Sequence, residues 1–265
     1  MELRGKTVML TGASRGIGRA LSAHLAKEGC ALLLSALEED ELAALAEELR
    51  REHRAKVEAM PCDLTDTASR TQLVEWVKAR PEAPDVLVNN AGGGVFKRFE
   101  NSSWTEIERQ LLLNVHASTH LTRELIPILK TRPEAKIVNI SSAVGRLPYP
   151  GLAVYGACKG YVSSFSESLA CELWGTRVSV LCFHPGFTTT SFMGSARMDM
   201  RRVPLAMVSS PARTAAQIVK AVRKDRQWAY GGVGTRLALF VSSLLTARLR
   251  TAIFRDLFWR LPDEA

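Results

Sequence analysis

A tyrosine and a lysine stand four residues apart, Tyr155 and Lys159 in the run VYGACKG, and Ser142 lies thirteen residues before the tyrosine. On a helix, residues i and i+4 share one face, so this spacing sets an ammonium beneath a phenol. An unperturbed tyrosine titrates near about 10, and a neighbouring cation favours the phenolate. Such a phenol could give or take a proton near neutral pH, and a serine hydroxyl from an adjacent strand end could hold a carbonyl oxygen. The same spacing also describes an ordinary solvated pair, so the elements around it have to decide.

The second chemical feature is the turn Thr11–Gly12–Ala13–Ser14–Arg15–Gly16–Ile17–Gly18. Glycine permits a tight turn and a close approach of backbone to ligand. A helix beginning there would present free N–H groups and its positive dipole end to a phosphate. The spacing G-x-x-x-G-x-G differs from the G-x-G-x-x-G dinucleotide fingerprint but uses the same physics. Read structurally, it is a glycine-rich turn that caps a helix.

The elements that must position these residues alternate along the chain. Strand-length apolar runs fall at 7–10, 30–35, 56–60, 85–88, 136–140, 177–183 and 228–230. Helical patterns separate them at 16–28, 38–53, 66–79, 104–130, 153–174 and 211–223. Uninterrupted apolar strands alternating with helices predict a parallel sheet covered on both faces. Right-handed crossovers then give a single-domain, doubly wound α/β fold of about seven strands in order 3-2-1-4-5-6-7.

A chain of 265 residues, 46% hydrophobic, can bury a large core. Its formal charge of +8 suits anionic ligands or an acidic membrane surface, but the cations are scattered and no basic run is interleaved with aromatics, which argues against nucleic acid. Five cysteines, odd in number and without a C-x-x-C pair, argue against a disulfide framework and for a reducing, cytoplasmic setting. No secretory leader and no run of about 18 apolar residues is present.

Taken together, TGASRGIG, NNAG at 89–92, Asn114, Ser142, YGACK at 155–159 and PG at 185–186 resemble the short-chain dehydrogenase/reductase family, in its order and spacing, over residues 5–232. The resemblance implies a Rossmann-type fold binding NADP(H) or NAD(H), and hydride transfer between nicotinamide and a small-molecule carbonyl or alcohol. Carried over, Gly12, Gly16 and Gly18 shape the pyrophosphate turn, and Ser14, Arg15 and Ile17 contact phosphate or ribose. Asp63 and Leu64 match the residues near adenine, and Asn90 the loop asparagine beside the ribose. Pro185, Gly186, Thr188 and Thr190 pass the nicotinamide. Tyr155 is the general acid, Ser142 binds the oxygen, Lys159 lowers the tyrosine pKa and holds ribose, and Asn114 links Lys159 to solvent through water. Structural alternatives are a helix cap for Asp63 and strand bracing for Asn90. His184 has a packing role, and Ser141 is a decoy. Ala36 falls where NAD-preferring members carry an acid, and Arg15 can meet a 2′-phosphate, so NADP(H) is preferred over NAD(H), with Leu37, Glu38 and Glu39 against it. Members commonly form homodimers or homotetramers.

Substrate is expected between Gly93–Phe96, Gly145–Gly151 and the loop 187–208. These offer Val95, Phe96, Leu147, Tyr149, Phe187, Phe192, Met193 and Met198, which suits an apolar carbonyl. Arg197, Arg201 and Arg202 read as solvation of that loop. The domain spans 1–234. In the extension 235–265, Leu237, Phe240, Val241, Leu244 and Leu245 follow helical spacing, as do Ile253, Phe254, Leu257, Phe258 and Leu261. Arg236, Arg248, Arg250, Arg255 and Arg260 flank them. This extension is either a helix pair packed over the cleft or across a subunit interface, or a peripheral membrane contact through 236–261. Two further functions stand beside a general carbonyl reductase: a 3-oxoacyl-thioester reductase, and a nucleotide-binding regulator without turnover.

Overall fold

The computed structural model describes residues 1–189 and 208–258. Thr190, Phe192, Met193, Arg197, Met198, Arg201, Arg202, Arg260 and Leu261 lie outside the described residues, as do the side chains of Leu257 and Phe258.

In chain order the first half comprises β1 (Thr7–Thr11), α1 (Gly16–Lys27), β2 (Ala31–Ala36), α2 (Glu39–His53), β3 (Val57–Pro61), α3 (Thr67–Lys78), β4 (Val86–Asn89), α4 (Trp104–Leu111) and α5 (Ala117–Leu129). The second half comprises β5 (Ala135–Ile140), α6 (Ala153–Glu172), β6 (Val178–His184), β7 (Phe187–Thr188), β8 (Val208–Ser209), α7 (Pro211–Arg223), β9 (Trp228–Tyr230), α8 (Val233–Leu244) and α9 (Ala247–Phe258). The seven-stranded parallel sheet runs β3-β2-β1-β4-β5-β6-β9, the expected order with β9 as the seventh strand. β7 and β8 pair apart from it.

Period-two alternation sorts the strands between two cores. Val8, Leu10, Leu32, Leu34, Val138 and Phe183 point to one face and pack with Leu21 and Leu25 of α1, Leu42 and Leu45 of α2 and Ile218 of α7. Met9, Leu33, Leu87, Ile137 and Val180 point to the other, against Leu73 of α3, Leu121 and Leu125 of α5 and Leu169 of α6. Both faces are thus covered, which is why the strands read as unbroken apolar runs.

Two local features depart from the expected elements. The helix expected over 104–130 is divided by a π-helical turn, Leu112–His116, between α4 and α5. The extension begins at Val233, two residues before the expected boundary, and α8 and α9 return to the body. Leu239 of α8 packs with Ala143, Leu147, Phe187 and Tyr230, and Phe254 of α9 joins the cluster of Val144, Tyr149 and Leu152. No helix of the described residues is long and apolar enough to cross a membrane. All five cysteines are free.

Candidate active site

The carboxyl ends of β1, β4, β5 and β6 open onto one cleft, where the chain order reverses between β1 and β4. It has a volume of about 380 Å³ and runs from the glycine turn to Tyr155.

At one end, no side chain caps the N-terminus of α1, and no acid occupies its first turn. Its free N–H groups and dipole therefore remain available to an anion. Gly12 has φ +64°, and a Cβ there would stand 2.8 Å from the Cα of Ala91. A Cβ on Gly18 would stand 1.9 Å from the Gly12 carbonyl oxygen, so only glycine lets α1 start this close to β1. Asn90 braces the turn, its Nδ2 donating to the carbonyls of Thr11 and Gly12 at 3.0 Å each. Its structural role is thus visible, and its position on the cleft is kept. Gly16 and Ile17 also line the cleft.

Ser14 and Arg15 are engaged by carboxylates. Ser14 Oγ donates to Glu38 at 3.2 Å, and Arg15 pairs with Glu38 at 3.2 Å and with Glu41. The Glu41 and Glu38 carboxylates raise the Arg15 pKa further. Sequence reasoning gave Glu38 only as a source of repulsion and missed Glu41, whose place in the first turn of α2 carries no motif.

At the other end, Ser142 caps a short 3₁₀ turn, its Oγ accepting from Val144 N–H at 3.2 Å, and lines the cleft together with Tyr155. Tyr155 and Lys159 lie on α6, one turn apart, with Nζ 5.7 Å from the tyrosine ring centroid. Nζ donates to the Ile140 carbonyl at 3.0 Å, an anchor with no side-chain signature in the sequence. Ser141 turns instead to α6, donating to the Lys159 carbonyl at 2.8 Å.

The electrostatics correct one expectation. Burial pushes the Tyr155 phenol up to about 12, and the nearby Ser142 hydroxyl offsets only part of this. Burial likewise pulls Lys159 down to about 8. Loss of hydration outweighs the ammonium because the lysine is itself desolvated and bonded to a carbonyl. In this geometry the phenol is a protonated donor at neutral pH, rather than one made acidic by its neighbour.

Asn114 sits in the π-helical turn, buried, with Nδ2 donating to the carbonyls of Gly93 and Gln110 at 2.8 Å each. Its Oδ1 is buried without a partner among the described residues. A Cβ on Gly92 would lie 2.8 Å from that Oδ1 and 2.9 Å from Lys159 Nζ. The glycine therefore leaves the space between the two open, a site with the size and polarity for a bridging water.

Pro185, Gly186 and Thr188 line the cleft, and Thr190 is outside the described residues. Asp63 and Leu64 do not line it. Asp63 accepts from Thr65 N–H at 2.8 Å and lies 3.9 Å from Arg109, which together outweigh desolvation and lower its pKa. Leu64 is buried in the core beneath α3. His184 is buried, 3.0 Å from Ser163 Oγ and stacked on Trp228, and desolvation lowers it to about 4. That is the expected packing role.

The sequence model described as short chain dehydrogenase matches residues 6–201. The chain belongs to this family. It is an oxidoreductase acting between CH–OH and carbonyl groups with a nicotinamide dinucleotide. Ketoacyl reductase HetN of Nostoc sp. is 33% identical over 221 residues, covering 83% of this chain and 76% of that protein. A short-chain dehydrogenase from Sphingobium yanoikuyae, in complex with NADPH, superposes with a TM-score of 0.82 at 28% identity over 98% of both chains. A 3-ketoacyl-(acyl-carrier-protein) reductase from Brucella melitensis, complexed with NADH, gives 0.79 at 26% identity over 87% of this chain and 98% of that one.

The residues present fit a dinucleotide: the uncapped α1 N-terminus offers free N–H groups to its phosphates, and the glycines at 12 and 18 leave backbone where any Cβ would intrude.

Proposed function

We propose that this chain is an NADP(H)-dependent reductase of apolar ketones or aldehydes, running in reverse as an alcohol dehydrogenase. The observation that carries this is that Ser142, Tyr155 and buried Lys159 line the same cleft as the uncapped end of α1.

Bound in the cleft, the nicotinamide supplies the hydride in reduction and takes it in oxidation. The chain's own residues manage the proton and the charge. Tyr155 gives its phenolic proton to the oxygen as negative charge develops there. Ser142 donates a hydrogen bond to that oxygen, stabilising charge where it appears. Lys159 holds positive charge close to the tyrosine, and Asn114 Oδ1 offers the acceptor through which a water reaches Lys159. Gly12, Ser14, Arg15, Gly16, Ile17, Gly18 and Asn90 hold the adenosine and pyrophosphate portion, with Asp63 and Leu64 towards adenine, and Pro185, Gly186, Thr188 and Thr190 hold the nicotinamide.

The preference for NADP(H) over NAD(H) rests on Ala36, which places no carboxylate at the end of β2, and on Arg15 at the cleft. Glu38 and Glu41 compete with a 2′-phosphate for that guanidinium. The apolar substrate rests on Phe96, Tyr149 and Phe187, which pack as a cluster beside Tyr155.

A 3-oxoacyl thioester is the second substrate class, favoured by the ketoacyl reductases among the relatives. Incubating the enzyme with NADPH and panels of apolar ketones and 3-oxoacyl thioesters, and following NADPH absorbance, tests the proposal. Consumption with the ketones supports it, and faster consumption with thioesters supports the second class. Binding of NADPH without consumption across both panels would make the chain a nucleotide-binding regulator.

A further inference from the structure

Helix α8 is built inside out. Its buried face carries Thr235, Leu239 and Ser242, and the hydroxyls of Thr235 and Ser242 are buried without hydrogen-bond partners among the described residues. Its outer face carries Val233, Leu237, Phe240, Val241 and Leu244, a stripe at i, i+4, i+7, i+8 and i+11 whose members are between 47% and 83% exposed. An apolar stripe of this extent on the outside of a helix marks a surface that something covers.

What covers it is indicated by the charge beside it. Val233 and Phe240 also line a second cleft, of about 940 Å³, between α7, β9 and α8. Arg146, Lys220, Lys224, Arg226, Arg236 and Arg250 line this cleft, and no aspartate or glutamate of the described residues does. None of the six pairs with a carboxylate among the described residues. Arg146 lies over the Trp228 ring, and Arg250 reaches only the Ser242 carbonyl at 3.5 Å. The acid nearest in sequence, Asp225, is held by Lys136 and Ser179. A second copy of this chain placed here about a twofold axis would oppose like charges. An anionic, amphipathic surface complements both halves.

We propose that α8 and this cleft dock the protein onto a bilayer containing anionic phospholipid. The stripe enters the headgroup–acyl boundary, and the cleft cations take the headgroup phosphates, with the Ser242 hydroxyl available to the same anions. The contact lies apart from the Tyr155 cleft and is separate from the chemistry there.

Flotation of the full chain with phosphatidylcholine vesicles, with and without phosphatidylglycerol, tests this. Binding should require the phosphatidylglycerol and weaken as salt rises. The triple variant Lys220→Ala, Lys224→Ala, Arg226→Ala changes only exposed positions and should weaken binding about a hundredfold. Leu237→Ser with Phe240→Ser should abolish it. Unaltered thermal melts and NADPH affinity in both variants would show that the fold is kept. Equal binding to neutral vesicles would overturn the proposal. So would binding of inorganic phosphate without vesicle binding, or self-association that the Leu237→Ser, Phe240→Ser variant abolishes while vesicles have no effect.

Discussion

With the Tyr155 phenol at about 12 and the Lys159 ammonium at about 8, the two groups change charge in separate pH windows. Below about 8 the lysine is a cation and the phenol carries its proton, the state that reduction needs. As pH rises past about 8 the lysine loses its charge while the phenol is still protonated. The kcat/KM for reduction should therefore fall on an alkaline limb set by the lysine, and Lys159→Ala should lower the plateau and remove that limb. A flat profile through pH 9 in the wild-type enzyme would assign the limb elsewhere. At the cofactor end, Arg15→Ala should lower kcat/KM for NADPH about tenfold or more and leave NADH nearly unchanged, because it removes one charge-assisted contact. Glu38→Gln should act in the opposite sense by releasing the guanidinium. Steady-state kinetics with both dinucleotides reads both effects. The four side chains proposed to act, Asn114, Ser142, Tyr155 and Lys159, could be named from the sequence because they stand at fixed spacing, and the structure gathers Ser142, Tyr155 and Lys159 on one cleft. The Ile140 carbonyl that anchors Lys159 was not, since every residue has a carbonyl. Nor was the outcome for the phenol, because desolvation depends on what packs around it and spacing reveals only the neighbour.

Among the elements, the strands and helices of the sheet fell close to their expected limits because two-residue and 3.6-residue periods are strong in long apolar segments. The π-helical turn at Leu112–His116 was hidden, since the helical pattern runs on through α4 and α5 and the extra residue in the turn leaves no mark in the sequence. It matters because it carries Asn114 and fixes its amide on Gly93. The pair β7–β8 was also hidden, two residues per strand being too short for any period. The loop after β4 must approach α6 closely, and a Cβ on Gly94 would stand 2.7 Å from the Tyr155 ring. Gly94→Ala should therefore displace either the loop or the tyrosine and lower kcat by about tenfold to a hundredfold. Thermal melting should change little, because the loop is not part of either core. Comparing kcat with the melting temperature checks this, and an unchanged kcat would mean that the loop yields without disturbing the tyrosine.

For the whole molecule, the two cores are fixed by the sheet, and β6 links them to the site through buried His184. Its pKa is lowered to about 4 from an ordinary value of 6.5, so the unfolded chain binds its proton first as pH falls. The stability this contributes is fully present above 6.5 and is lost as pH falls towards about 4, a cost of about 3 kcal/mol. Denaturant titrations between pH 7 and 4 should show that loss, and His184→Gln should flatten the pH dependence. The role of the extension was only half legible: its helices were clear from spacing, but which face would be covered depended on tertiary contacts, and the structure leaves apolar residues on the outside of α8. What the whole fold accomplishes is to bring the uncapped end of α1 and the Ser142–Tyr155–Lys159 group into one cleft. Single-turnover hydride transfer from NADPH in the Tyr155→Phe variant, with NADPH affinity measured on the same preparation, tests that claim most directly. The account predicts intact affinity with the transfer rate down by about a hundredfold or more. Transfer at the wild-type rate with NADPH still bound would contradict it.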